Sequence, residues 1–515
     1  MNIKKLLIPI SILSLTVPFG MPVMAEEKGS ESVKIVTEEN IKDTSKEEPF
    51  TGYKKEKGVE YYYVKGKKYT GKLTVDGETF YFSKGVKTKK YLKIEGYETE
   101  VPLKGNKWIN LKGYWHFVKD GMLVKGWKNF TKADGEKIAH CSYFDNTNGR
   151  LYTGWHNMSK KEGETTDHYS YFGENGWLRT GWQWMGKGTS NPDGNSPKHI
   201  SYFGSNGWLR TGWVKLGKGT SEPDGNSVMH LSYFGANGWL RTGWQQMGTK
   251  TNPDGKSKVH WSYFGGNGWL QTGWKYFTAA DGEKKNHWSY FGGNGWLATG
   301  YAKVNNVNCT FSGMGWLNKT EMDLYQYVDQ NKDGYYQGCA GASLLMALKM
   351  KGKLRNLSYV DFMNTMPRSI DGTPLTGFRG NPKAKEGYMN AIYPPAIAKW
   401  GKRYGNVSDI SGCNVNRLKD ETRLGNIPVV LVYYKFDKNP RFGQNPKLDP
   451  QNWGFYKYYM NAHHFNTLLG YDYVNNRYKV ADPNTRIAGQ GDTMWIDGKV
   501  FERYWNIQKG AVLVK

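Results

Sequence analysis

The rhythm of apolar and polar positions changes three times along the chain. Lys4 and Lys5 precede an apolar stretch from Leu6 to Phe19, and Val23-Met24-Ala25 follows it. That layout predicts a signal peptide over residues 1–25. The stretch is too short, and too interrupted by Ser, Pro and Thr, to span a membrane. Residues 26–50 are charged and carry a single aromatic, Phe50, which predicts a flexible linker. Over 51–317 short aromatic runs alternate with glycine and polar turns. The clearest copies start at Tyr171, Tyr202, Tyr233, Tyr263 and Tyr290, spaced 31, 31, 30 and 27 residues apart. Each carries S-Y-F-G-x-N-G-W-L-x-T-G, and a weaker copy starts at Tyr143. From about 321 the repeats stop and aliphatic runs begin. Ala340, Ser343, Leu344, Ala347 and Leu348 share one face at helical spacing, with Gly352 placed to end that helix.

These patterns predict two architectures. In Tyr202–Leu209, two short strands flank an Asn-Gly, which favours a tight hairpin with positive φ angles. The next strand starts at Gly212-Trp213, and a loop such as S-E-P-D-G-N-S turns the chain back. One such meander cannot bury its rings alone, so stacking on neighbours must complete the core. The expectation is a β-hairpin solenoid of tandem repeats over 51–317. Over 321–515 an early buried helix precedes strand candidates at 427–434, 464–471, 478–481 and 511–514, which reads as α+β.

Composition sharpens this. Hydrophobic residues make up only 38%, yet aromatics reach 15% and glycines number 64, so packing relies on rings and turns instead of aliphatics. The net charge of +25 suits anionic partners such as nucleic acid, a membrane surface or teichoic acids. Export removes nucleic acid from that set and leaves no transmembrane segment after signal cleavage. No sorting signal with an apolar tail is seen at the C-terminus, so retention at a surface would fall to the repeats. Four cysteines (Cys141, Cys309, Cys339, Cys413) are too few for a disulfide scaffold, although a Cys309–Cys413 pair is left open. His140, His168, His199, His230, His260 and His287 hold one repeat position. They would form either a metal-binding stripe or a packing position, and one His per copy favours packing.

The repeats resemble the cell-wall-binding repeats of choline-binding and glucan-binding proteins of Gram-positive bacteria. The Tyr-Phe pair, the N-G-W turn and the T-G-W segment carry the likeness. It implies ligand pockets built from Tyr171, Trp177, Trp182, Tyr202, Trp208, Trp213, Tyr233, Trp239, Trp244, Tyr263, Trp269, Trp274, Tyr290 and Trp296. Their faces suit choline by cation–π attraction or sugar rings by stacking. The copies are longer than the simplest units of about 20 residues, which favours a glucan, teichoic acid or other wall polymer over choline.

Chemistry concentrates after 321. Cys339 opens the apolar helix, where the positive end of the helix dipole favours a thiolate. His464 stands 125 residues later in H-H-F-N-T-L-L-G-Y-D, and Asp482 another 18 later in V-A-D-P. A thiol, an imidazole and a carboxylate in this order can form a nucleophile, its base and an orienting group. The segment is similar to the papain-like bacteriocin-leader-processing peptidases and their secreted relatives. Gly338–Leu348, His464–Asp472, Asp482-Pro483, Ala391–Ile397 and Leu418–Val430 carry that match. The resemblance implies that Cys339 attacks a carbonyl carbon, His464 takes and returns a proton, and Asp482 holds the imidazole. The G-Y-D spacing selects His464 over His463. It also implies an oxyanion donor upstream of the cysteine, Gln330 in preference to Gln337, with the Cys339 backbone N–H as second donor.

Asp329-Gln330-Asn331-Lys332-Asp333-Gly334 matches the first half of a calcium loop, but position twelve is Ala340 where that loop needs Glu. Asp329, Asn331 and Asp333 are therefore candidate calcium ligands, with an Asp/Asn turn before the helix as the simpler reading. The chemistry requires no cofactor. The sequence thus predicts a secreted cysteine peptidase acting on peptides or proteins. The repeats would hold it at the wall or surface of a Gram-positive-type bacterium. An adhesin with a silent peptidase-like domain and a peptidoglycan stem-peptide hydrolase are the alternatives.

Overall fold

The computed structural model describes residues 48–515 except 195, 256–257, 386–388, 434–447, 454–455, 461–462 and 485–492. The expected signal peptide, and the linker up to residue 47, lie outside the described residues. Among the described residues no helix is long and apolar enough to cross a membrane. The described residues divide into two compact units, one up to residue 92 with Glu98–Leu103, and another of Lys93–Tyr97 with the residues from 104 onward. In the first, short antiparallel strands follow one another, Gly52–Glu56 with Val59–Val64 and Gly71–Val75 with Glu78–Ser83.

In the second unit the repeats form a series of two-stranded antiparallel sheets. The hairpin does not close where Asn-Gly predicted. Strand Gly212–Leu216 pairs with His230–Phe234 across the long polar loop, Trp213 opposite Tyr233. Across Ser205-Asn206-Gly207 only a single bridge forms, Phe203 to Leu209. The reason is local. Asn206 is not among the positive-φ residues, and only Gly207 takes positive φ, at +77°. Asn206 Oδ1 accepts instead from the Trp208 N–H at 3.2 Å. A two-residue primed hairpin needs both central residues in the left-handed region, or a glycine first.

That turn is the seam between copies. The Leu209 N–H donates to the Tyr169 carbonyl of an earlier hairpin at 2.8 Å, and Leu240 and Leu270 repeat the bond to Ile200 and Leu231. The Ser170 hydroxyl donates to the Gly207 carbonyl at 2.9 Å. A Cβ on Gly207 would stand 2.5 Å from the Leu178 side chain, so the turn glycine of one copy rests on the leucine of the copy before. Each copy therefore completes its neighbour's core, as stacking predicted.

The sheet of the C-terminal region takes in strands that precede residue 321. Strands β1 (Gly300–Val304), β2 (Val307–Phe311) and β3 (Leu317–Glu321) close the repeat series and join the sheet of that domain. The other elements are helices α1 (Cys339–Met350), α2 (Tyr359–Asn364) and α3 (Pro394–Gly401), strand β4 (Val407–Asp409), helix α4 (Val415–Arg423), strands β5 (Ile427–Tyr433), β6 (Leu448–Trp453), β7 (Tyr456–Met460), β8 (His463–Asp472), β9 (Arg477–Ala481) and β10 (Thr493–Asp497), helix α5 (Gly498–Gln508) and strand β11 (Ala511–Val514). The nine-stranded sheet runs β1-β2-β3-β8-β5-β11-β4, with β9 on β8 and β10 on β9. β3 pairs with β8 through Lys319–Asp472, Thr320–Tyr471 and Glu321–Gly470. Gly470 permits this approach, because a Cβ there would meet the Thr320 carbonyl oxygen at 2.1 Å. The four strand candidates and the helix from Cys339 appear where the pattern placed them, and Gly352, at φ +75°, follows the helix end.

One apolar core joins the two regions. Val304, Val307, Cys309 and Phe311 pack in the same cluster as α1, Phe465 and Leu469. The buried Arg423 guanidinium lies 3.5 Å from the Trp288 ring centre and 4.9 Å from that of Trp274, so α4 grips rings of the last repeats.

Candidate active site

The geometry is built from the start of α1. Every residue from Cys339 to Lys349 is buried. Gly341 lets the helix sit against its neighbours, since a Cβ there would meet the Met363 sulfur at 2.3 Å. Gly338 caps the helix without a side-chain bond, and a Cβ on it would collide with the Tyr359 hydroxyl at 2.2 Å. That hydroxyl donates to the Gly338 carbonyl at 3.0 Å, fixing the residue before the thiol.

The Cys339 thiol faces the His464 ring, and His464 Nε2 reaches Asp482 Oδ1 at 2.5 Å. With Nε2 on the carboxylate, Nδ1 is left for the sulfur. All three side chains are buried, with exposures of 7%, 3% and 4%. β8 pairs with β9 at Thr467–Ala481, which sets Asp482 one step beyond the strand and beside His464. His463 lies one residue away in the strand, with its ring 5.9 Å from Tyr393. Asp482 is held from several sides. Its Oδ1 accepts from the Asn484 N–H at 2.9 Å, and its carbonyl accepts from the Tyr327 hydroxyl at 2.7 Å. The fully buried Asn466 amide also faces Asp482, without full hydrogen-bond geometry.

The electrostatics follow from this packing. Burial opposes a charged imidazole, but the Asp482 carboxylate with its hydrogen bond, and the neighbouring Cys339 thiol, outweigh it, and His464 is raised to about 10. Burial pushes Asp482 upward, yet its charge attraction and hydrogen bond to His464 leave it below the ordinary carboxylate range.

Gln330 is also buried, 3% exposed. Its Nε2 donates to the Tyr336 carbonyl at 2.8 Å, its backbone N–H donates to the Pro483 carbonyl at 2.9 Å, and its Oε1 has no partner among the described residues. The second Nε2 hydrogen is not used by these bonds. Gln337 instead donates to the Ala384 carbonyl. Around Gln330 the acidic turn closes on itself. Asp329 Oδ1 accepts from the backbone and side chain of Asn331, and Asn331 Nδ2 donates to Asn484 Oδ1 at 2.9 Å. Among the described residues no group of three or more His, Cys, Asp or Glu could hold a metal ion. The four cysteines are free thiols.

The repeat rings named in the sequence fall into three packing roles. Tyr171, Tyr202, Tyr233 and Tyr263 are buried, and with Tyr290 they meet Trp155, Trp182, Trp213, Trp244 and Trp274 edge-on across the hairpins. Those tryptophans lean on Phe203, Phe234, Phe264, Phe291 and Phe311 of the following copy. Trp177, Trp208, Trp239, Trp269 and Trp296 each stack on the repeat histidine of an earlier copy, with centroids 4.1–4.3 Å apart. The histidines take the packing role, and Nδ1 donates to the carbonyl two residues back, as in His199 to Pro197 at 2.8 Å. The exposed rings are others, among them Tyr169 (56%), Trp184 (54%) and Trp261 (45%). Trp184 borders a groove of about 320 Å³ with Gln183, Asn226 and Asn267 and with two of the rings named in the sequence, Trp182 and Trp269. Sequence reasoning passed over the exposed rings because their positions vary between copies.

Residues 322–512 match the model of the Peptidase_C39 like family, so the region after the repeats is a C39-like domain. No curated protein sequence matches the chain. Among solved structures, the chain is similar to a protein described as a C39-like peptidase from Bacillus anthracis, at 19% identity over 38% of this chain and 97% of that one, with a TM-score of 0.32. It is also similar to choline binding protein F from Streptococcus pneumoniae, at 24% identity over 55% of this chain and 95% of that one, with a TM-score of 0.24.

Proposed function

We propose that the protein is an exported cysteine peptidase held at a bacterial cell surface by its repeats. The juxtaposition of Cys339 with the hydrogen-bonded pair His464–Asp482, within a domain that matches a peptidase family, carries this reading. The Cys339 sulfur attacks the scissile carbonyl carbon, and the proton it gives up resides on His464 Nδ1. Collapse of the tetrahedral adduct breaks the C–N bond, and His464 returns the proton to the leaving amine. Water, deprotonated by His464, then releases the acid product and the thiol. Asp482 stays ionised and fixes the ring. The Gln330 amide and the Cys339 backbone N–H are the donors for the oxyanion. These steps balance without a cofactor, and calcium on Asp329, Asn331 and Asp333 would act only by ordering the turn.

The repeats are read as the address. Their exposed rings and the net charge of +25 suit an anionic or sugar-bearing wall polymer, teichoic acid or glucan. Purified Cys339→Ala is expected to lose all peptide hydrolysis while still sedimenting with cell walls. Hydrolysis by that variant at the wild-type rate would refute the enzyme, and loss of sedimentation after deleting 51–299 would support the address.

A further inference from the structure

Helix α1 is buried along nearly its whole length, and a serine stands in the middle of it. A fully buried hydroxyl costs free energy unless it finds a partner. Ser343 Oγ donates to the Phe465 carbonyl at 2.9 Å. Thr467, equally buried, donates through Oγ1 to the Ser343 carbonyl at 3.0 Å. The two bonds run in opposite directions between the same two elements. α1 begins at Cys339, one helical turn before Ser343, and Phe465 directly follows His464 on β8. Apolar contact between a helix and a sheet opposes separation but is non-directional, so it constrains sliding only weakly. A reciprocal pair of buried hydrogen bonds is directional and fixes the offset.

We infer that Ser343 and Thr467 are positioning residues, a clamp that sets where the Cys339 sulfur stands relative to the His464 ring. This rests on the reading of Cys339 and His464 as nucleophile and base. Tyr359 holds the start of the same helix from α2, so the nucleophile is located from both sides. Neither hydroxyl belongs to the Cys339–His464–Asp482 series. In the sequence Ser343 reads as a small residue on an apolar face, within the Gly338–Leu348 segment that carries the family likeness.

The test uses the full chain with Thr467→Val, Ser343→Ala and Thr467→Ser. The rate at which iodoacetamide labels Cys339 is followed by peptide mass mapping, which separates it from the other three cysteines. Thermal unfolding is recorded alongside. Thr467→Val and Ser343→Ala should label roughly tenfold more slowly at about pH 6, because small displacements at a reacting pair are costly. They should converge on the wild type at about pH 10, above the ordinary thiol range near ~8.5. Thr467→Ser keeps the hydroxyl and should stay within about twofold of wild type. If Thr467→Val does not fold, Ser343→Ala breaks the clamp from the helix side. Wild-type pH profiles in both variants, whatever the fall in unfolding temperature, would overturn the clamp and leave the nucleophile reading intact. Wild-type Cys339 labelling no faster than Cys141 at about pH 6 would overturn both.

Discussion

The repeats and the C-terminal domain solve the burial problem in different ways. In the repeats each ring set is small. Tyr233, Met247 and Phe264 form one buried cluster, and Tyr171, Met185 and Phe203 form another. Such clusters join one copy to its neighbour, until Trp274 and Trp288 of the last copies meet Arg423, so stability within the array is close to a sum of local terms. In the C-terminal domain a single cluster links residues as far apart as Val304 and Val514. Such a core forms together or not at all. A chemical site that must hold three side chains in register belongs on the second kind of scaffold. A repeated surface can tolerate variation copy by copy, and the position after the repeat histidine does vary, with Tyr169, Leu231 and Trp261 exposed there.

The largest test of this contrast is a cut. A fragment starting at residue 322 lacks β1, β2 and β3, and with them Val304, Val307 and Phe311 of the shared core and one of the three pairing partners of β8. It should show no cooperative thermal transition, whereas a fragment starting near 270, which keeps Trp274 and Trp288 on Arg423, should melt as one unit. Equal cooperativity in the two fragments would mean that the regions are independent.

The next effect is chemical. Asp482→Asn leaves the fold but removes the charge that holds His464 up, and should lower hydrolysis by about 10²–10⁴-fold. The sign for pH follows from the raised His464. The imidazolium persists until pH passes about 10, so hydrolysis, which needs its proton for the leaving amine, should fall on that alkaline side. In Asp482→Asn this alkaline fall should begin at lower pH. The pH profile of peptide hydrolysis reads both, and an unmoved alkaline limb would remove Asp482 from the series.

The smallest effect lies in the repeats. Gly207→Ala places a Cβ at φ +77° against Leu178. It should cost roughly 1–3 kcal/mol, and only locally. Hydrogen exchange should quicken in the hairpins around 169–216 while the melting of the C-terminal domain stays put. A loss of protection spread evenly over the chain would erase the distinction drawn between the two regions.

Much of this was legible without coordinates. The period near 30 residues, the aromatic spacing and the break near 321 define the two architectures, because periodicity directly reports which side chains share a face. Cys339 at the head of an apolar run, His464 before G-Y-D and Asp482 before Pro483 marked the chemical set. What the chain alone could not decide was partnership. The Asn-Gly signal pointed to a hairpin, but only the glycine has positive φ and the strands pair across the longer loop. His199 stacks on Trp239, and Ser343 is bound to Thr467, at sequence separations that no local pattern encodes. The join of β3 to β8 also lay hidden, since it depends on a glycine 150 residues away allowing two backbones to meet. Local sequence determined which elements form and which residues carry chemistry. Tertiary structure decided which hydroxyl, ring and strand edge they meet, because burial leaves each polar group and each ring needing a specific partner.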